Sequence, residues 1–210
     1  MMSLLVRLAD TLPSNKERIV FLINNFDQAL SVFGDRRSLS SAGGEGGAPV
    51  DLRDEAVHFE KRLAEQRELF VEEELLERYS RLIAFVQQTE AQSPAPAAGA
   101  SIAAGRSGGG SGGADAPLQL DASVVEALVR EFAATWKAGI EAINRDVLAF
   151  FSNFRNGMEI LKQVLTQLLL YYTRFQDIVR RGWRRPPAFT KDIVSTAAIL
   201  VEIKKYSRQF

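Results

Sequence analysis

Val147-Leu148-Ala149-Phe150-Phe151-Ser152-Asn153-Phe154-Arg155-Asn156-Gly157-Met158-Glu159-Ile160-Leu161 is the stretch on which the fold turns. From its first residue onward, Val147, Phe151, Phe154, Met158, Leu161, Leu165, Leu168, Tyr172, Phe175 and Val179 recur alternately four and three residues apart. An α-helix returns to one face about every 3.6 residues, so this is the spacing of a heptad seam. Such a seam needs a partner helix to cover it. Upstream, Val125, Val129, Phe132, Trp136, Ile140 and Ile143 continue the pattern with one four-residue step out of phase. A stutter of this kind unwinds a supercoil locally and places a bend near Trp136 to Ile140. Asp121 is suited to cap the start, and Gly182 with Pro186 and Pro187 to stop the run, so the spacing predicts one very long helix over 121–181. Thr190 then caps a last helix with Ile193, Ala197 and Leu200 facing inward.

Two further helices are available to cover the seam. Pro13-Ser14-Asn15-Lys16-Glu17 has the form of a capping box, in which Ser14 caps free backbone amides and Glu17 reaches back. After it Ile19, Leu22, Ile23, Phe26, Leu30 and Phe33 fall at helical spacing, and Gly34 ends the run, giving an N-terminal helical segment over 1–33. Residues 34–50 are rich in Ser, Gly and Ala without periodicity and read as a flexible loop. From 51 to 91 there is no Pro or Gly, and Phe59, Leu63, Phe70, Leu76, Tyr79, Ile83 and Val86 give a one-sided seam on a long amphipathic helix. Residues 92–118 hold Pro94, Pro96, a Gly-Ser run and Pro117, and read as disordered linker before a C-terminal pair of helices over 119–210. No strand-like alternation is long enough for a sheet. The expected fold class is all-α, an elongated antiparallel helical bundle or rod forming one helical domain. The helix over 51–91 is long enough to cover much of the 121–181 seam, so a monomer is expected.

Composition narrows function by exclusion. The 210 residues carry 26 basic and 26 acidic side chains, so there is no global field to gather nucleic acid or an anionic bilayer. With no cysteine, thiolate nucleophiles, thiolate metal sites and a disulfide framework are excluded, which fits a reducing cytosol. The apolar stretch from Val164 to Tyr172 is interrupted by Gln167 and flanked by Gln163 and Arg174, well short of the ~20 residues that span a bilayer. The only histidine, His58, has no second ligand type at metal spacing and reads as a surface or seam residue. The glycines at 108–113 lead into Ala114-Asp115 rather than a Lys-Ser pair, so a phosphate loop is unsupported. No catalytic constellation is found, and the expectation is a non-enzyme without cofactors or metals.

Three features bear on partners. The run Glu72-Glu73-Glu74 reads as a solvated helix face or, less simply, a surface for a basic partner. Arg180, Arg181, Trp183, Arg184 and Arg185 set four guanidinium groups around one indole. They form a candidate membrane contact, each cation adding about 1 kcal/mol near anionic headgroups. In the other reading, the cations answer the helix dipole and Trp183 packs under the turn. Asn153, Asn156 and Gly157 are poor helix formers inside an otherwise strong seam, and Asn24 and Asn25 interrupt the first helix in the same way. Either the four amides and Arg155 form a hydrogen-bond layer that fixes helix pairing, or Arg155 and the Asn side chains are exposed on a partner surface.

Leu12-Pro13-Ser14-Asn15-Lys16-Glu17-Arg18-Ile19-Val20-Phe21-Leu22-Ile23-Asn24-Asn25-Phe26-Asp27 resembles a segment of the vacuolar protein sorting-associated protein 52 family. Phe150 to Gly157, Leu165-Thr166-Gln167-Leu168 and Tyr172-Thr173-Arg174-Phe175 are similar to the long C-terminal helix of that family, and Val201-Glu202-Ile203-Lys204-Lys205 to Phe210 to its chain end. The resemblance is close over 4–33 and 120–210 and looser over 55–90. It implies a helical subunit of the Golgi-associated retrograde protein complex and of the endosome-associated recycling protein complex, which tether vesicles in endosome-to-Golgi retrograde transport. It further implies contacts with the other subunits, a Rab-type GTPase and SNARE proteins, no cofactor, and a place on the cytosolic face of trans-Golgi network and endosomal membranes. No binding residue carries over from the family individually. A peripheral membrane-binding module using the Arg180–Arg185 cluster is the alternative expectation.

Overall fold

The computed structural model describes residues 2–42, 50–92 and 120–207. Residues 43–49 of the expected loop and 93–118 of the expected linker lie outside the described residues. Among the described residues there are helices α1 (Met2–Ala9), α2 (Asn15–Ala42), α3 (Val50–Gln92), α4 (Ala122–Phe150), α5 (Phe154–Gly182) and α6 (Thr196–Ser207), one 3-10 turn at Ala188–Asp192, and no strand. The all-α class read from the periodicity is what the chain adopts.

Several boundaries differ from the periodic reading, each for a local reason. The first helix runs through Gly34 to Ala42. A glycine inside a helix costs only about 1 kcal/mol relative to Ala and stops it only when it turns left-handed. The 121–181 segment is helical in two pieces, interrupted at Phe151–Asn153 rather than near Trp136 to Ile140, where α4 runs on. Asn153 makes the interruption stable by capping: its Oδ1 accepts the backbone N–H groups of Arg155 at 3.1 Å and Asn156 at 3.4 Å. Because the break rephases the helix, Phe154 leaves the seam and is 50% exposed, while Ile160 and Val164 enter the core beside Leu161 and Leu165. On α3 the buried position is Leu75, not Leu76. The last helix starts at Thr196 with Ser195 Oγ accepting from the Ala198 amide, whereas Thr190 sits in the 3-10 turn. Ile199 and Glu202 are its buried residues, and Ala197 and Leu200 are exposed.

The chain divides into two compact units: Met1–Arg78 with Ile140–Gln167, and Tyr79–Gly139 with Leu168–Phe210. In unit one, Ile19, Ile23 and Phe26 of α2, Phe59, Leu63 and Phe70 of α3, Ile143 and Val147 of α4, and Ile160 and Val164 of α5 are buried. Phe26 meets Phe59 edge-on at 5.6 Å between ring centres, and Phe70 meets Phe151 at 5.0 Å. Unit two is built around Phe132 stacked on Tyr172 at 4.1 Å, with Tyr79 and Phe175 against them. Burial pushes the Tyr172 hydroxyl up to about 12, and that hydroxyl donates to the Val194 carbonyl at 2.9 Å. Tyr79 itself has non-helical backbone (φ −127°, ψ 22°) inside α3. Its ring lies over Gly139, where an added Cβ would stand 2.1 Å from the hydroxyl oxygen, so only glycine admits this approach.

Candidate functional site

In unit one the α4–α5 break gathers most of the amides singled out from the sequence. Asn24 Nδ2 donates to the Phe150 carbonyl at 2.9 Å, satisfying one of the carbonyls left open at the end of α4. Asn153, while capping α5, donates from Nδ2 to Asp27 Oδ2 at 2.6 Å. Asn156 is buried, 3% exposed, and its Oδ1 accepts both Nε (3.0 Å) and Nη2 (2.6 Å) of Arg67. Burial lowers the Arg67 guanidinium from its ordinary value, with Asp27 and Glu159 acting against that. Thus Asn24, Asn153 and Asn156 each bridge to another helix. Asn25 bonds within α2, to the Phe21 carbonyl at 2.8 Å, and Arg155 is exposed, so neither joins the layer. Gly157 follows with ordinary room: an added Cβ would stand 3.4 Å from Phe151 Cβ.

A second polar cluster went unread in the sequence. Glu74, expected on a solvated face, is 0% exposed. Lys16 Nζ lies 2.7 Å from its Oε2 and Arg78 Nη1 2.6 Å from its Oε1. Arg78 also pairs with Asp146 on α4, and Lys16 with Glu77 at 2.6 Å, while Lys16 sits 5.2 Å from the Phe150 ring centre. Burial raises the Glu74 carboxyl, against the pull of Lys16 and Arg78. Burial pulls the Lys16 ammonium down, but its bonds to Glu74 and Glu77 more than offset this and leave it above its ordinary value. The same bond holds Glu77 below the carboxylate range. A buried carboxylate needs such partners because an uncompensated one costs several kcal/mol. Beside Lys16, a cleft of about 310 Å³ is lined by Ser14, Glu17, Val20, Phe21 and Phe150. Lys16 lies 58 positions from Glu74, so only the tertiary fold reveals the pair.

The basic cluster belongs to unit two. Arg180 pairs with Asp177 at 3.3 Å, Arg181 Nε donates to the Asp177 carbonyl at 3.3 Å, and Arg184 and Arg185 are exposed. Trp183 is half-buried, edge-on against Phe189 at 5.7 Å. By sequence, unit one carries thirteen Lys and Arg against eighteen Asp and Glu, and unit two thirteen against eight. The neutral chain is therefore two units of opposite charge. His58 is exposed on α3. Among the described residues no helix is long and apolar enough to cross a membrane, and no three His, Asp or Glu converge to hold a metal.

Asn24, Asn153 and Asn156 bridge helices of unit one, and Glu74 is buried between Lys16 and Arg78. The class these elements define is an all-α helical region. No protein-family model and no solved structure matches the chain. Curated relatives do. It is 39% identical to vacuolar protein sorting-associated protein 52 A of Arabidopsis thaliana over 99% of this chain and 25% of that protein. It is 36% identical to the B form from the same plant, and 30% identical to the Homo sapiens homolog over 98% of this chain and 24% of that protein. The chain is a vacuolar protein sorting-associated protein 52 family region, consistent with the C-terminal part, and spans about a quarter of the length of these relatives.

Proposed function

We propose that this chain is a non-catalytic contact region of a vesicle-tethering subunit in endosome-to-Golgi retrograde transport, acting through helical protein-protein contacts. The observation that carries the reading is the similarity to vacuolar protein sorting-associated protein 52 along 99% of the chain. Support comes from side chains that cap, pair and bridge helices, as the Asn24, Asn153 and Asn156 layer does. In this reading that layer sets helix pairing and Arg155 faces a partner. The partners are the other tether subunits, a Rab-type GTPase and SNARE proteins, on the cytosolic face of trans-Golgi network and endosomal membranes. An affinity capture from cytosol charged with a non-hydrolysable GTP analogue or with GDP, read by mass spectrometry, tests it. Recovery of tether subunits, or of a GTPase in one nucleotide state only, is the expected result; a soluble helical bait that recovers neither overturns it.

The charge of unit two favours a second reading, peripheral docking on anionic headgroups through Arg184 and Arg185. Such docking is electrostatic and weakens with salt. Reversing the charge of Arg181 and Arg184 and repeating liposome sedimentation at two salt concentrations decides it, since binding that is absent or unchanged removes the lipid role.

A further inference from the structure

Helix α3 has two seams in unit one. Phe59, Leu63, Phe70 and Leu75 point into the core. On its outward side His58, Arg62, Glu65, Leu69, Glu72 and Leu76 succeed one another at steps of four, three, four, three and four. That is again a heptad spacing, and it holds two leucines that are 46% and 40% exposed. Single exposed leucines are ordinary, but two on one stripe, about two helical turns apart, form the core of a helix-docking face.

The charge around this stripe identifies what fits it. Between 65 and 77 the chain has six glutamates and one arginine. The arginine, Arg67, is turned to Asn156, and Glu74 is buried with Lys16 and Arg78. Glu68, Glu72 and Glu77 remain exposed along the leucines. Asn15 donates to Glu73 at 3.2 Å and Lys16 to Glu77, so the first turn of α2 fixes one edge. A second copy would bring glutamate against glutamate, and an anionic bilayer would be repelled. We propose that the Leu69–Leu76 stripe docks a basic amphipathic helix of a partner protein. Its apolar residues sit seven apart against the two leucines, and its Lys or Arg side chains face Glu68 and Glu72. The proposal rests on the reading that the chain works through protein contacts.

Fluorescence polarisation with the whole chain tests it, using a labelled synthetic helical peptide with leucines seven apart and lysine flanks, beside a peptide with the same leucines and glutamate flanks. The lysine peptide binds selectively, and the paired change Leu69→Gln and Leu76→Gln weakens it at least ten-fold with an unaltered circular dichroism melt. Glu68→Lys with Glu72→Lys reverses the preference between peptides, a result independent of the leucines. Equal binding of the two peptides, or an affinity indifferent to both pairs of substitutions, overturns the proposal. So does self-association in sedimentation velocity that the leucine changes abolish, because the occupant is then a second copy. If capture from cytosol recovers tether subunits equally with the parent and the leucine variant, the tether reading stands and the stripe is overturned; recovery by neither overturns the tether reading as well.

Discussion

The two units reach stability by different means. Unit two closes around a stack of aromatic rings, Tyr79, Phe132, Tyr172 and Phe175, with the Tyr172 hydroxyl tied to one carbonyl. Unit one also has an apolar core, but its buried glutamate, Glu74, is bridged to another helix and an amide layer crosses its helix break, whereas the buried glutamate of unit two, Glu202, pairs with Lys205 on its own helix. Stacked rings spread their contact over a broad apolar area, whereas the Arg67–Asn156 contact depends on two N–H groups reaching one amide oxygen. The contrast lies in directional contacts between helices: unit one adds to its apolar area an amide layer and an ion cluster that link its helices. The Lys16 of that cluster also borders the cleft lined by Val20, Phe21 and Phe150.

The largest test falls on the aromatic side. Phe132→Ala removes the partner of Tyr172 and is expected to destabilise by about 3–5 kcal/mol, read as a lowered urea midpoint. Asn156→Leu leaves Arg67 without its acceptor and is expected to cost less, about 1–3 kcal/mol, read the same way. If Asn156→Leu proves the costlier change, the contrast between the units is reversed; if it leaves the midpoint untouched, the amide layer has no part in register.

A pH series sharpens the contrast further, with a smaller effect. Glu74, raised from 4.5 by burial, holds its proton more tightly folded than unfolded. Its contribution is fully present below 4.5 and is lost as pH rises through the raised value. Glu77, lowered by Lys16, behaves oppositely: its contribution is present above 4.5 and is lost as pH falls through the lowered value. Glu74→Gln is expected to remove the decline on the alkaline side of 4.5 in urea midpoints while keeping the acid decline. The smallest effect is expected at Gly157→Ala, a gain of about 0.5 kcal/mol from helix propensity, since the new methyl meets only ordinary contacts. A loss instead would mean that the start of α5 is more tightly fitted than the Phe151 spacing implies.

Much of the fold was legible because burial follows periodicity. Val125, Val129, Phe132, Trp136, Ile140 and Ile143 are all buried as spaced, and Ser14 Oγ accepts the Glu17 amide at 3.1 Å. The helix break was legible as chemistry but not as geometry. Asn153, Asn156 and Gly157 announce poor helix, yet the heptad spacing runs across them and hides the change of phase that exposes Phe154. In the candidate site, Asn24, Asn153 and Asn156 were visible as misfits, while their acceptors and donors at Phe150, Asp27 and Arg67 were not. Glu74 was least legible, because three consecutive glutamates look alike until helix phase and a distant lysine distinguish the third.

The backbone at Tyr79 also divides how α3 comes apart. A helix unzips by successive loss of amide bonds, and a residue outside helical geometry interrupts that sequence. Openings that begin near Val50 and openings that begin near Gln92 are therefore separate events, each ending at Tyr79. Deuterium uptake along α3 would register as two populations of amides with their own protection, one on each side of Tyr79.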